Sequence, residues 1–142
     1  MADLHIEEFY QDSARILLQL YRAFPRRISV FVEDIAGADQ PDEFGLHGKR
    51  HLACLGCMLW LAEEGLIRYE STISQDAIDQ AVLTESGFSL LIRPLTSQDQ
   101  QPPHPASAIH HLQDCLQQGT STQLAALTQQ ILFPRLPVPA SH

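Results

Sequence analysis

The sequence predicts a mostly α-helical chain with a small β-hairpin near its middle and two short helices at its C-terminal end. Three observations predict it. Apolar residues recur at helical spacing from Ile6 to Phe24 and again from Leu52 to Leu66. Two strand-like runs, 66–70 and 81–83, follow the second helix and are separated by a polar stretch. A Gln- and Pro-rich segment, 96–105, then separates this part from a last pair of amphipathic runs.

The first helix starts among the acids Glu7 and Glu8 and places Ile6, Phe9, Ile16, Leu17, Leu20, Tyr21 and Phe24 at helical spacing. Arg22 suits its negative end, and Pro25 ends it. Ile28-Ser29-Val30-Phe31-Val32 reads as a strand, or as a lead into a short helix through Ala36 that Gly37 stops. Residues 38–48 hold Asp, Pro and Gly throughout and read as a loop.

The next helix is expected over 49–64, with Leu52, Leu55, Leu59, Ala62 and Leu66 as its apolar stripe and Gly65 as its stop. Residues 66–70 should pair antiparallel with 81–83. Residues 71–80 would then be the hairpin loop, in which Asp76-Ala77-Ile78-Asp79 could add a helical turn. Thr84 is a good cap for a helix that ends before Pro94. Further on, one helix holds Ile109, Leu112 and Leu116. Another, capped by Thr120 or Ser121, holds Leu124, Leu127, Ile131 and Leu132. The expected organisation is a main domain over 1–95, a linker over 96–105, short helices over 106–133 and an extended tail over 134–142.

Composition bounds the function. The 142 residues suit one folded domain, with 44% hydrophobic and 18% charged residues. No apolar run approaches the ~20 residues of a membrane-spanning helix. The first residues lack the basic start and apolar stretch of a secretory signal, so no membrane partner and a cytoplasmic location are expected. The formal net charge is −8, from 17 acids against 9 bases, and Lys49 is the sole lysine. DNA affinity rests on cations that neutralise phosphates, so a DNA-binding chain of this charge must gather its few cations on one face. Three cysteines, Cys54, Cys57 and Cys115, do not describe a disulfide framework.

Two runs carry a resemblance. Leu59-Trp60-Leu61-Ala62-Glu63-Glu64-Gly65-Leu66-Ile67 looks like the end of a recognition helix, and Leu83-Thr84-Glu85-Ser86-Gly87-Phe88-Ser89-Leu90-Leu91 looks like the exit from a wing. Together with the order of elements they resemble winged helix-turn-helix regulators such as the MarR and PadR families. The resemblance implies a winged helix-turn-helix core followed by the C-terminal helices. It also implies a DNA-binding transcriptional regulator, commonly a homodimer, here through the 9–24 helix, the 109–132 region or both.

By the same resemblance, the start of the long helix, with His47, Lys49, Arg50 and His51, would face the major groove, and 71–80 would be the wing. Arg26 and Arg27 would hold phosphate or interact with the carbonyls that end the first helix. Two features depart from the pattern. About ten residues link the short and long helices, where the turn normally has ~3–4. The wing carries Asp76 and Asp79 and no Lys or Arg. An acidic winged-helix module that binds a protein is therefore the alternative to a DNA reader.

The remaining chemistry is sparse. Cys54-Leu55-Gly56-Cys57, preceded by His51, has the spacing of a metal or redox pair, giving a third reading as a metal- or redox-responsive protein. Its place inside an apolar helix favours core packing. His104, His110 and His111 read as solvent-exposed. No phosphate-binding loop, nucleophile elbow or zincin helix is present, so neither a catalytic set nor a cofactor is expected.

Overall fold

The computed structural model describes residues 4–95 and 107–134, which form six helices and a small antiparallel sheet. Helix α1 (Leu4–Ala23) is followed by strand β1 (Ile28–Phe31), the short helix α2 (Val32–Ala36) and helix α3 (Lys49–Glu63). Strands β2 (Ile67–Arg68), β3 (Ser71–Ile73) and β4 (Ala77–Leu83) come next. Helices α4 (Glu85–Ile92), α5 (Ala108–Gln118) and α6 (Ser121–Leu132) complete it. Among the described residues, no helix is long and apolar enough to cross a membrane.

β4 organises the sheet. Five of its seven residues are buried, and it pairs antiparallel with β1, β2 and β3. Ile67 faces Leu83 and Arg68 faces Val82, which is the pairing expected from the two strand-like runs. The expected loop over 71–80 is instead mostly strand: Thr72 faces Ile78 and Ile73 faces Ala77. The chain reverses over 74–76, with Ser74 at φ 49, so no helical turn forms at 76–79. Gln80, at φ 56, lies where residues 78 to 81 of β4 oppose residues 28 to 30 of β1, a bulge that increases the local twist.

α1 buries Ala14, Ile16, Leu17, Leu18 and Leu20, and it packs against α3, α6 and the sheet. α3 turns a different side inward from the expected stripe. Its buried residues are His51, Cys54, Leu55, Cys57, Met58 and Leu61, while Leu52 is exposed and Leu59 and Ala62 are only half-buried. Apolar residues lie almost all round this helix, so spacing alone leaves its rotation undetermined.

Gly65, at φ 80, ends α3 as expected, and Thr84 caps α4. The Thr84 hydroxyl accepts a hydrogen bond from the Gly87 N–H at 3.1 Å and donates to the Gly65 carbonyl at 2.6 Å. The Thr84 N–H donates to the Leu66 carbonyl at 3.1 Å. The end of α3 and the start of α4 are thus fastened to each other.

α5 is joined to α4 through the Ala108 N–H, which donates to the Arg93 carbonyl at 2.8 Å. α6 starts with a capping box, in which the side chains of Thr120 and Gln123 each accept from the other's backbone N–H. α1 and α6, which lie in the two regions expected to pair copies of the chain, also pack against each other within one copy. The expected linker over 96–105 lies outside the described residues, as does the expected tail beyond Pro134.

Candidate functional site

The long link into α3 is folded by two aspartates. Asp42 accepts hydrogen bonds from the Phe44 and Leu46 N–H groups, both at 2.9 Å. Asp39 reaches across to the start of the helix, where Gly48 is an N-cap that has no side chain of its own to offer. Asp39 Oδ2 accepts from the Gly48 N–H at 3.2 Å and lies 2.8 Å from His47 Nδ1. The His47 hydrogen bond, aided by the Gly48 N–H and the nearby imidazoles, holds the Asp39 carboxyl below the usual carboxylate range although its partial burial opposes this. It also sets a negative charge at the positive end of α3.

Both histidines belong to this cluster. Their rings stack in parallel with centroids 3.8 Å apart. His47 Nε2 lies 3.2 Å from Asp76 Oδ1 in the turn between β3 and β4. His51, in the first turn of α3, is buried, and its Nε2 lies 2.8 Å from the Gln75 carbonyl oxygen. A carbonyl only accepts, so Nε2 carries a proton. His51 Nδ1 is buried without a hydrogen-bond partner, 3.8 Å from Asp39 Oδ2. The open side is a cleft of about 410 Å³ walled by Phe31, Glu33, Pro41 and these four side chains. Asp39, His47 and His51 are the described residues whose ligand atoms come together closely enough to share a metal ion, all within 4.8 Å of one another.

The cations expected to touch DNA are placed differently. Arg50 turns toward α1, where its guanidinium grips both oxygens of Asp12 and its Nε lies 3.2 Å from Glu8 Oε2. The Asp12 hydrogen bonds and the two carboxylate charges outweigh burial and raise the Arg50 pKa above its ordinary value. Arg27 pairs with Glu70 at 2.8 Å. Arg26 and Lys49 are exposed. Of the six expected residues, His47 and His51 meet, in the company of acids; Arg27 and Arg50 are each committed to carboxylates elsewhere.

The paired cysteines are core residues. Cys54 and Cys57 are free and buried, and Cys57 Sγ lies 3.2 Å from the Ser13 hydroxyl. Burial pushes the Cys57 thiol up to about 12 and Cys54 still higher, with the Asp12 charge adding to both. At pH 8 both thiols are then far less ionised than an exposed cysteine. Disulfide reagents at that pH should therefore titrate the half-buried Cys115 in the folded chain, and Cys54 and Cys57 only after unfolding. Fast reaction of two or three thiols in the native protein would contradict this placement. His110 is exposed and lies 3.5 Å from Asp114, while His104 lies outside the described residues.

No protein-family model, characterised protein or solved structure matches this chain. Sequence reasoning missed Asp39 and the role of Asp76. The available signal was the four-residue spacing of His47 and His51 across the helix start, with Asp39 eight residues earlier.

Proposed function

We propose that the chain is a winged-helix domain that docks another protein rather than reading DNA. The order of α1, β1, α2, α3 and a following hairpin supports the winged-helix reading, as do the contacts of Gly65, Thr84 and Gly87. The docking reading rests on the character of the surface where a DNA reader would present its cations. Of the eight large apolar side chains exposed among the described residues, five are Phe31, Phe44, Leu46, Leu52 and Ile73. All five belong to the sheet end near the β3–β4 turn, to the link into α3 or to the first turn of α3. Phe44 is 78% exposed. This concentration of exposed apolar residues in a few segments supports a contact surface there.

The same segments carry Asp39, Asp42, Glu43 and Asp76 against Lys49 and Arg50, and the adjoining α2 adds Glu33 and Asp34, so acids outnumber bases where phosphate would sit. A partner face with apolar side chains flanked by Lys or Arg fits this surface in both respects.

Two measurements test the proposal. Anisotropy titration with duplex DNA from upstream of the chain's own gene should show no saturable binding at low salt. Saturable, salt-dependent binding that Lys49→Ala and Arg26→Ala weaken would restore the DNA reading. A photo-crosslinking phenylalanine analogue at position 44 should trap one discrete protein in the native cell, and Leu46→Asp should abolish that adduct. The same adduct from an analogue placed at position 64, at the far end of α3, would show that the capture is unspecific.

A further inference from the structure

We propose that Asp39, His47 and His51 form a binding site for a first-row transition dication, with Zn2+ the best match to the donor set. This goes beyond the docking reading and does not depend on it.

The first argument is the unpartnered ring nitrogen. His51 Nε2–H donates a hydrogen bond to the Gln75 carbonyl, while Nδ1, on the other side of the ring, is buried with no hydrogen-bond partner. Its side chain is only 2% exposed. Natural interiors leave few such atoms, and each calls for a physical explanation. Nδ1 is directed at the Asp39 carboxylate, 3.8 Å away, which is too far for a hydrogen bond. An ion between the two would give Nδ1 a partner.

The second argument is the orientation of the rings. Each histidine turns Nδ1 toward Asp39 and uses Nε2 to grip the β3–β4 turn. His51 is held by the Gln75 carbonyl at 2.8 Å, and His47 lies beside the Asp76 carboxylate at 3.2 Å. A metal-bound histidine almost always gives its second nitrogen to a carbonyl or a carboxylate, which fixes the tautomer and aims the ligand atom. Both types of support are present here, one on each ring.

The third argument is spacing. Ligand atoms about 2.0–2.2 Å from Zn2+ at tetrahedral angles lie roughly 3.3–3.6 Å apart. The Asp39–His47 and Asp39–His51 separations are 2.8 and 3.8 Å, and all three ligand atoms lie within 4.8 Å of one another. Binding requires the His47–Asp39 contact to open and one ring to turn out of the parallel stack so that both Nδ1 lone pairs meet at the ion, and the Nδ1 proton that His47 shares with Asp39 leaves as it binds. The cleft leaves room for a water as fourth ligand. Two imidazoles and one carboxylate suit Zn2+, Co2+, Ni2+ or Fe2+, whereas Mg2+ and Ca2+ require more oxygen. The bound ion would tie the link into α3 to the helix itself and, through Gln75 and Asp76, to the β3–β4 turn.

The test uses the full untagged chain, stripped with chelator and titrated with Zn2+ by calorimetry and with Co2+ by visible absorption. The expected result is one equivalent of either ion, with a Co2+ d–d spectrum of nitrogen and oxygen ligation. Asp39→Ala and His47→Ala, both in the link rather than the core, should each weaken uptake by about a hundredfold or more. Asp76→Asn should weaken it by about tenfold, since it alters only the support of His47. Circular dichroism and urea midpoints in chelator separate lost ligation from lost folding; a folded variant with weak uptake supports the site. Absence of Zn2+ and Co2+ uptake by the wild type would overturn the proposal. So would uptake that Asp39→Ala and His47→Ala leave unchanged, or a strong sulfur-to-cobalt charge-transfer band, which would place the ion on the cysteines.

Discussion

Arg50→Ala is expected to lower folding stability by about 3 kcal/mol, measured as a fall in the urea midpoint at unchanged slope. Asp12 is 1% exposed, and Arg50 grips both of its oxygens. Removing the guanidinium leaves a buried carboxylate with no counter-charge in contact, which is far costlier than losing a surface pair. The lower end of the usual range applies, because Arg50 is itself about one-third exposed and its removal lets water approach Asp12. Arg50→Lys keeps the charge but loses the two-pronged grip, so it should fall between wild type and alanine. Asp12→Leu combined with Arg50→Met should recover most of the loss, since a well-packed apolar pair is often as stable as the ion pair it replaces. A loss below about 1 kcal/mol for Arg50→Ala, the level of an exposed pair, would mean that the contact with α1 is not formed in solution.

The same pair governs how DNA binding can be assayed. Read from the sequence, Lys49 and Arg50 are the two strong cations at the start of the long helix, and a double alanine variant looks like the decisive one. With Arg50 fastened to α1, that variant would be destabilised whatever it binds, so a loss of affinity would not by itself mark a DNA contact. Lys49 and Arg26 are exposed and can be removed without disturbing a buried charge, so they are the informative substitutions.

The features legible in the sequence are those that local chemistry determines. Pro25 follows the end of α1, a left-handed Gly65 stops α3, and Thr84 and Thr120 cap α4 and α6, because each acts on its own few residues. The rotation of α3 is not legible, since Leu52, Cys57, Met58, Trp60 and Leu61 surround the helix and packing against α1 and α2 decides which are buried. β3 is hidden for the opposite reason. Ser71-Thr72-Ile73 is exposed throughout and shows no alternation, so it is a strand only because β4 is there to pair with it. The site follows the same rule. His47 and His51 stand out as residues, but their partners are distant in sequence: Asp76 sits in a turn that reads as loop, and Asp39 reaches back from a link without periodicity. Arg50 and Asp12 are 38 residues apart, and no periodicity joins them.

Gly87→Ala is expected to cost about 3 kcal/mol or more, through overpacking against backbone rather than loss of any contact. A Cβ at Gly87 would lie 2.0 Å from the Leu66 carbonyl oxygen and 3.0 Å from its carbonyl carbon. Neither atom can be moved as a side chain could. The Leu66 oxygen accepts the Thr84 N–H at 3.1 Å, and the Leu66 N–H donates to the Leu61 carbonyl at 3.0 Å. On one side Gly65 holds φ 80, and on the other Ile67 is paired with Leu83. Making room for one methyl group therefore means displacing the first turn of α4 or breaking the β2–β4 pairing, and the Thr84 cap is strained in either case. Gly56→Ala is the matched control. It lies on the exposed side of α3, where a methyl group would meet nothing within 4 Å, so alanine there should stabilise the helix by up to about 1 kcal/mol. Urea unfolding of the two variants followed by circular dichroism should thus give shifts of opposite sign. Equal stability of Gly87→Ala and wild type would show that α4 does not sit against Leu66, and would remove the close approach that joins the two runs on which the winged-helix resemblance rests.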